Sequence, residues 1–383
     1  MLKNKINKYF TVEIIKSFLT ILFAFTAIAW TVRAVNFLDL IVENGHSIKT
    51  YFQFSLLNIT NIITKFIPLS FLLALVLSIV KFQRQNELII LWTSGLNKIK
   101  VANLFLFISI LILILQIIFA VFVTPNALHK SRSLIKSSNL GSISSIIKIN
   151  GFSDSFKGIT FYVESKNKKN IMKNIFIRDE SGVFKDIIAD NNNSSNITII
   201  AKTGYLDKKK LILFDGVIQS QNKDKKLQNI TFSKTELLVN SLNNRSIIVP
   251  KMQETQSSLL LNCLFKKGGT KNVKILYNCP KNNMKQEVVE TMARRVGMPI
   301  YIPLISLICC FLLISNNTKK FKFLKKYIYF LIGFVILIAA EILVRYSGFS
   351  NIHTFLYFAT PIILMPIIYM VLLSKLSSEK VRP

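Results

Sequence analysis

Val101-Ala-Asn-Leu-Phe-Leu-Phe-Ile-Ser-Ile-Leu-Ile-Leu-Ile-Leu-Gln-Ile-Ile-Phe-Ala-Val-Phe-Val123 carries no charged side chain in 23 consecutive positions. About 18–20 apolar residues suffice for a helix to cross a bilayer, so this run can span one. Five further runs resemble it: residues 11–32 and 52–80 before it, and residues 296–315, 327–344 and 354–373 after it. No soluble core needs six such segments. They stand three and three around a polar insert of roughly 170 residues. The sequence therefore predicts an α-helical membrane protein with six transmembrane helices, three plus three, and one large extramembrane domain. The first run is too long for the apolar core of a signal peptide, and no A-x-A-like site follows it, so it reads as a retained helix.

The chain has 383 residues, 51% of them hydrophobic, and 49 Lys+Arg against 19 Asp+Glu give a formal net charge of +30. In a soluble protein that balance would point to nucleic acid. Here the apolar runs supply another frame, in which basic residues set topology, contact anionic lipid or hold an anionic substrate. An AT-rich genome also enriches Lys, Asn and Ile, so the position of each charge is more informative than the sum.

Position is consistent at every short loop. Lys3, Lys5 and Lys8 precede the first run; Lys81, Arg84, Lys98 and Lys100 lie between the second and third. Five lysines, Lys319, Lys320, Lys322, Lys325 and Lys326, separate the fourth and fifth, and Lys375, Lys380 and Arg382 follow the sixth. The alternate loops are poor in basic residues: Lys49 stands in the first, with Arg33 at the edge of the run before it, and residues 346–353 hold no Lys or Arg. By the positive-inside rule both termini are expected in the cytoplasm and the insert outside.

Within the insert, short alternating segments run from about residue 131 to 242: Ile159–Glu164, Ile171–Ile177, Ile197–Ala201, Leu211–Phe214 and Ile230–Ser233. Turn-rich stretches such as residues 179–182, 191–196 and 207–210 separate them. Period-2 segments at this spacing predict an antiparallel β sandwich or open barrel. Apolar residues near 259–264 and 288–292 predict short helices leading back to the fourth span. Cys309 and Cys310 fall inside that span as packing residues; Cys263 and Cys279, 16 residues apart, lack metal-site spacing but allow a disulfide outside the cell's reducing interior.

The sharpest local pattern is Lys81-Phe-Gln-Arg-Gln-Asn-Glu-Leu-Ile-Ile-Leu-Trp-Thr-Ser-Gly-Leu96. Asn86 is placed to cap a helix, with Glu87 in its first turn. Leu88, Leu91 and Trp92 share one helical face, and Gly95 suits a C-terminal stop. Periodicity fits equally an interfacial helix resting on headgroups and a coupling helix docked into a cytoplasmic partner.

This stretch, and the chain as a whole, resembles the LptF/LptG (YjgP/YjgQ) lipopolysaccharide-export permeases. The likeness rests on Glu87-Leu-Ile-Ile-Leu-Trp-Thr-Ser-Gly-Leu96, on Ile67-Pro-Leu-Ser70 in the second run, on Val123-Thr-Pro125 at the exit of the third, and on the order of these motifs around an external β domain. Glu13-Ile-Ile-Lys-Ser17 and Phe161-Tyr-Val-Glu-Ser165 are closer to LptF than to LptG. Residues 259–280 match no motif of the family.

The resemblance implies a periplasmic jellyroll-like domain and an ABC-type exporter that extracts lipopolysaccharide from the bacterial inner membrane. It implies a second, LptG-like or LptF-like permease, an LptB-like ATPase dimer, and LptC-like and LptA-like periplasmic proteins. Glu87 matches the carboxylate that contacts the ATPase, and Arg84, Leu88, Leu91, Trp92 and Gly95 complete the expected ATPase-coupling segment. The chain then divides into residues 1–125, with helices one to three and a coupling helix at about 82–95; residues 126–290, the periplasmic domain; and residues 291–383, with helices four to six and a cytoplasmic tail.

Charges inside spans are costly and point to function. Arg33, Lys65 and Arg345 are candidate contacts for a phosphorylated glycolipid, since Arg grips a phosphate with two hydrogen bonds and Lys adds a point charge. Arg33 also coincides with a basic position of the family. Glu341 and Arg345, four apart, are spaced to pair along one helix face. Pro68 is expected to kink the second helix near Thr64.

Nothing in the chain predicts catalysis. It contains no phosphate-binding loop, so ATP and magnesium belong to the partner ATPase and no cofactor is expected in this chain. His46, His129 and His353 lack the spacing of a metal site or a catalytic triad. The competing reading is a self-contained secondary transporter or channel with a periplasmic sensor domain. That would call for mid-membrane carboxylates and an internal repeat; only Glu341 stands near a span end.

Overall fold

The computed structural model describes residues 2–38, 41, 47–138, 149–156, 158–167, 171–181, 184, 196–207, 210–221, 227–238, 251–265, 282–314 and 319–378. Among them six helical segments are long and apolar enough to cross a membrane. Helix α1 covers Leu2–Asn36, α2 Ile48–Arg84, α3 Glu87–Thr93 and α4 Lys98–Ile118. A π-turn at Phe119–Val123 joins α4 to α5, Thr124–Ser138. Six strands follow. A 3-10 turn at Met252–Glu254 and helix α6, Ser257–Phe265, precede α7, Asn282–Cys310; α8, Lys319–Tyr346, and α9, Asn351–Ser378, complete the order.

Two segments differ from the sequence expectation. The third span does not end at Val123-Thr-Pro125: helix continues through the π-turn to Ser138, and the hydrogen bond that Pro125 cannot make is replaced from another element, as described below. Residues 288–292 form no separate short helix but the start of α7, whereas 259–264 do lie in the short helix α6.

The chain forms two compact units. One comprises residues 1–32, 58–129 and 251–383; the other, residues 33–57 and 130–250. In the first, α2 and α7 are central: 61% and 78% of their apolar windows are buried, against 17–28% for the other four. Phe10, Ile14 and Phe18, one turn apart on α1, pack on Phe71, Leu75 and Phe82 of α2 and Phe105 of α4. Phe10 meets Phe82 edge-on at 4.6 Å between ring centroids, the geometry aromatic quadrupoles favour. Cys309 and Cys310 are buried and free. Cys263 is disulfide-bonded, and the expectation for Cys279 lies outside the described residues.

Prolines inside these helices leave carbonyls without their usual donor. Pro361 has no N–H for the Tyr357 carbonyl four residues earlier; the Tyr301 hydroxyl of α7 donates to that oxygen at 2.9 Å. Neighbouring side chains are the usual answer where water is excluded. The fit is close: a Cβ at Gly297 would lie 2.2 Å from Cε1 of Tyr357.

In the second unit the strands are β1 Gly151–Phe156, β2 Ile159–Lys166, β3 Ile171–Asp179, β4 Asn196–Asp207, β5 Lys210–Gln221 and β6 Leu227–Leu238. They pair antiparallel in chain order as a single six-stranded sheet. The five segments read from sequence fall in β2 to β6. Ile159, Phe161, Val163, Ile175, Ile177, Ile197 and Ile199 build the buried face. The turn expected at 179 is built by the Asp179 carboxylate, which accepts from the Ser181 and Phe184 amides at 2.8 Å each.

A crease crosses this sheet. Glu164, Asn174, Lys202, Asp215 and Ser233 occupy one transverse row, each missing from the ladder while the register on both sides is unchanged. All five are exposed, and Asn174 and Asp215 have positive φ, 48° and 49°. Inward positions shift by one residue across the row: 197, 199 and 201 on one side of β4, 204 on the other. One residue faces one residue throughout, so the row is a kink in the pleat and not an insertion.

Gly297→Ala is expected to destabilise the helical unit by about 1–3 kcal/mol, the cost of overpacking a filled site. Thermal unfolding in detergent checks this; an unchanged midpoint would show that the Tyr357 ring is free to move aside.

Candidate functional site

Two features of the helical unit stand out: a polar cavity among the helices and the short helix α3. The cavity, about 370 Å³, opens between α2, α4–α5, α7 and α8. Asn61, Thr64, Lys65 and Pro68 line it from α2; Gln116, Ala120 and Thr124 line it from the π-turn region. Arg294 and Arg295 enter from α7 and Glu341 from α8. The π-turn contributes Ala120 to the cavity wall, and such turns are frequent at functional sites.

Arg294 pairs with Glu341 across helices and with Glu290 one turn back on α7 at 3.3 Å. The expected Glu341–Arg345 pair is therefore corrected: Glu341 reaches across to α7, while Arg345 is exposed on α8. The Arg294 guanidinium divides its donors, Nη1 to Glu341 of α8 and Nη2 to Glu290 of α7, and so bridges the two carboxylates.

Arg295 is only 6% exposed. Its guanidinium donates to the Ser257 hydroxyl at 2.6 Å and to the carbonyls of Thr255, Gln253 and Met252 at 2.9, 3.1 and 3.3 Å. These are neutral oxygens at the end of the 3-10 turn, where a cation is favoured by the carbonyl dipoles. A buried charge is tolerated only where its donors are hydrogen-bonded in this way. Ser257 passes the bond on, donating at 2.8 Å to the carbonyl of Val121. Val121 is the residue whose carbonyl Pro125 leaves without a donor. One chain of hydrogen bonds thus ties the re-entry segment to α7 and to the π-turn.

Gln116 faces the cavity, 3% exposed, and its Oε1 has no hydrogen-bond partner. The Thr64 and Thr124 hydroxyls lie 2.7 Å apart and fasten α2 to α5 at the same wall. The sequence reading singled out Lys65 but missed Arg294, Arg295 and Gln116. The fourth apolar run begins at Val296, directly after both arginines, and that position flush against an apolar run was the available signal. Arg33, half-buried, belongs to the other unit, and neither it nor Arg345 lines this cavity. His129 and His353 are exposed, and His46 lies outside the described residues.

Helix α3 is shorter than the expected 82–95. Arg84 ends α2, and Asn86 takes φ 59°, which breaks the helix between Arg84 and Glu87. The Asn86 side chain makes no capping hydrogen bond; its left-handed backbone points it away from the first amides. The C-terminus is as read: Gly95 has φ 84°, its amide bonds the Trp92 carbonyl, and the Leu96 amide reaches back to Leu91. That is a Schellman stop, which glycine permits.

Leu88 is buried in the core, with Leu91 and Trp92 packed against it. Ile89 and Ile90 face outward, 54% and 62% exposed. Glu87 accepts a hydrogen bond from the Tyr9 hydroxyl of α1 at 2.9 Å, and Lys81 at the end of α2 pairs with Glu13 of α1. Both ends of α3 are thus fixed, and its outer face is apolar.

The sequence profile described as "Lipopolysaccharide export system permease LptF/LptG" matches residues 8–375. An uncharacterized protein of Rickettsia prowazekii (strain Madrid E) is 25% identical over 257 residues, which are 66% of this chain and 68% of that protein.

Ser257→Ala removes the donor to Val121 and one partner of Arg295. It is expected to cost about 1–3 kcal/mol, the penalty for buried polar groups left unmade. Hydrogen exchange should then quicken at residues 119–125; unchanged protection there would refute the relay.

Proposed function

Since this chain belongs to the LptF/LptG family of lipopolysaccharide export permeases, we propose that it is one wall of a two-walled exporter driven by a separate ATPase. The family is a transport component of the inner membrane, not an enzyme, and the six apolar helices agree with a multi-pass chain. The observation that carries the coupling is α3. It is seated by Leu88, stopped by Gly95, joined to α1 through Glu87 and Tyr9, and offers Ile89 and Ile90 outward. A short helix so held acts as a rigid lever: a displacement imposed on it passes to α1 and α2 rather than being absorbed locally.

The partners that follow are a second permease of the same family, an ATPase dimer under α3 that binds ATP and magnesium, and periplasmic proteins that receive the glycolipid from the β domain. Both termini are assigned to the cytoplasm and the sheet to the periplasm. The loop charges support this, and so does disulfide-bonded Cys263, since such bonds persist in oxidising compartments. Arg33, Lys65 and Arg345 are assigned to the phosphorylated glycolipid, Lys65 beside the paired Arg294 in the polar cavity.

Glu87→Lys is expected to weaken ATPase binding about tenfold or more, the scale of a lost charge-assisted hydrogen bond of about 1.5–3 kcal/mol. Co-purification in mild detergent reads this out; a full complement of ATPase on the variant would sink the docking role. Arg33→Glu is expected to cripple glycolipid binding while assembly survives. Unchanged photocrosslinking of lipopolysaccharide to that variant would count against Arg33 as a substrate contact.

A further inference from the structure

We propose that the face of the β sheet opposite its packed core binds an extended saccharide chain, through the faces of the sugar rings rather than through charge. Phe152, Tyr162, Phe176, Ile200, Val217 and Thr231 are paired from strand to strand and form one continuous row across β1 to β6. Six strands about 4.8 Å apart make that row about 24 Å long. None of the six belongs to the buried core, and Phe152 and Ile200 are 66% and 53% exposed. The three rings at the β1 end are set against one another. Phe152 lies 5.1 Å from Tyr162 between centroids and meets Phe176 edge-on at 6.3 Å. The Tyr162 hydroxyl donates to Asn150 at 3.1 Å. Rings already held in place lower the entropy cost of receiving a ligand.

What borders the row decides what fits it. Residues two apart along a strand share a face. At that distance in β2 to β6 the crease runs along one side, and Thr160, Arg178, Thr198, Gln219 and Asn229 run along the other. Every one of these carries an amide, a hydroxyl or a charge, so the apolar strip is one row wide. The core face differs: Ile159, Phe161 and Val163, successive inward positions of β2, are all apolar. Sheets that pack face to face need that breadth. A second sheet laid on this face would have to desolvate two polar rows. The flanks in β2 to β6 set Glu164 and Asp215 against Lys202 and Arg178, a balance, although the whole chain has 49 Lys+Arg against 19 Asp+Glu. An anionic lipid surface finds no net attraction there.

A narrow apolar strip between two polar margins is the complement of a pyranose chain. Each sugar ring turns C–H groups to its faces and hydroxyls to its edges. The C–H groups settle on the negative face of an aromatic ring. The hydroxyls meet donors and acceptors on both margins, since the amides of Asn174, Gln219 and Asn229 supply both. Two sources share this chemistry: the polysaccharide of the exported glycolipid and the glycan strands of the cell wall. Meeting either rests on the outward placement of the sheet proposed above.

The test uses the full chain in detergent and saturation-transfer NMR with two probes: lipid-free polysaccharide released from lipopolysaccharide, and glycan strands freed from the cell wall. Ring C–H protons of a bound probe should take up saturation, and added salt should leave the signal unchanged. Phe152→Ser should weaken binding about tenfold, whereas Phe152→Tyr, which keeps a ring face, should retain it. Ile200→Asn, on a different strand, should weaken it in parallel, so the folding of one variant does not decide the outcome. A response from one probe alone supports the proposal and names the source. Silence from both probes, or undiminished binding in Phe152→Ser and Ile200→Asn, would overturn it. Loss of signal in salt would overturn it too, because charge would then be what binds. So would loss of a co-purifying periplasmic protein from Phe152→Ser with the saccharide signal intact, by making the row a protein docking surface. The probes reach solubilised protein whichever side the sheet faces, so failure here is distinct from failure of the orientation.

Discussion

Inside a bilayer a backbone carbonyl has no water to turn to, and a proline four residues on withholds the amide it would otherwise receive. The helical unit carries several such prolines, and in two places another element supplies the missing donor. Ser257 donates to Val121 above Pro125, and Tyr301 donates to Tyr357 above Pro361. The first of these reaches furthest. Ser257 is itself bonded by Arg295, and Arg295 binds three carbonyls of the re-entry turn. Without that turn, the π-turn of the third span and a buried guanidinium would both lose partners at once. Arg295 and Gln253, which line the cavity, are thereby tied to the segment around Pro125.

The same economy governs the opposite end of the bundle. Helix α3 is too short to be stable alone, since isolated helices need about 12–15 residues. It exists because Leu88 is buried and because both its ends are specified, one by the Asn86 break and one by Gly95. Tyr9 and Glu13 then join α1 to α3 and α2 by two polar contacts set in an aromatic cluster. Polar contacts of this kind fix position more than they add stability, because each is partly exposed.

Much of this was legible in the chain. Six spans, five of the six strands and the glycine stop announce themselves through local period and local conformation, which need no knowledge of distant residues. What stayed hidden depends on sequence-distant meetings. Arg294 could be assigned to Glu341 only once α7 and α8 lay side by side, and spacing alone favoured Arg345. Gln116 reads as an ordinary polar residue in an apolar run until three other helices surround it. Asn86 stands where a capping residue should, yet its backbone conformation, invisible in its identity, turns the side chain away. Strand β1 escaped because Gly151–Phe156 mixes serine and aspartate with two phenylalanines and lacks strict alternation.

The crease in the β domain changes what kind of object the sheet is. A continuous ladder resists flexing evenly across its width, whereas a sheet missing one row of cross-links concentrates its compliance along that line. Glu164, Asn174, Lys202, Asp215 and Ser233 mark such a line from β2 to β6. The two panels each keep their own registers on either side of it. Bending of this sheet is therefore confined to one line of exposed residues, while the strands to either side stay braced by their own ladders.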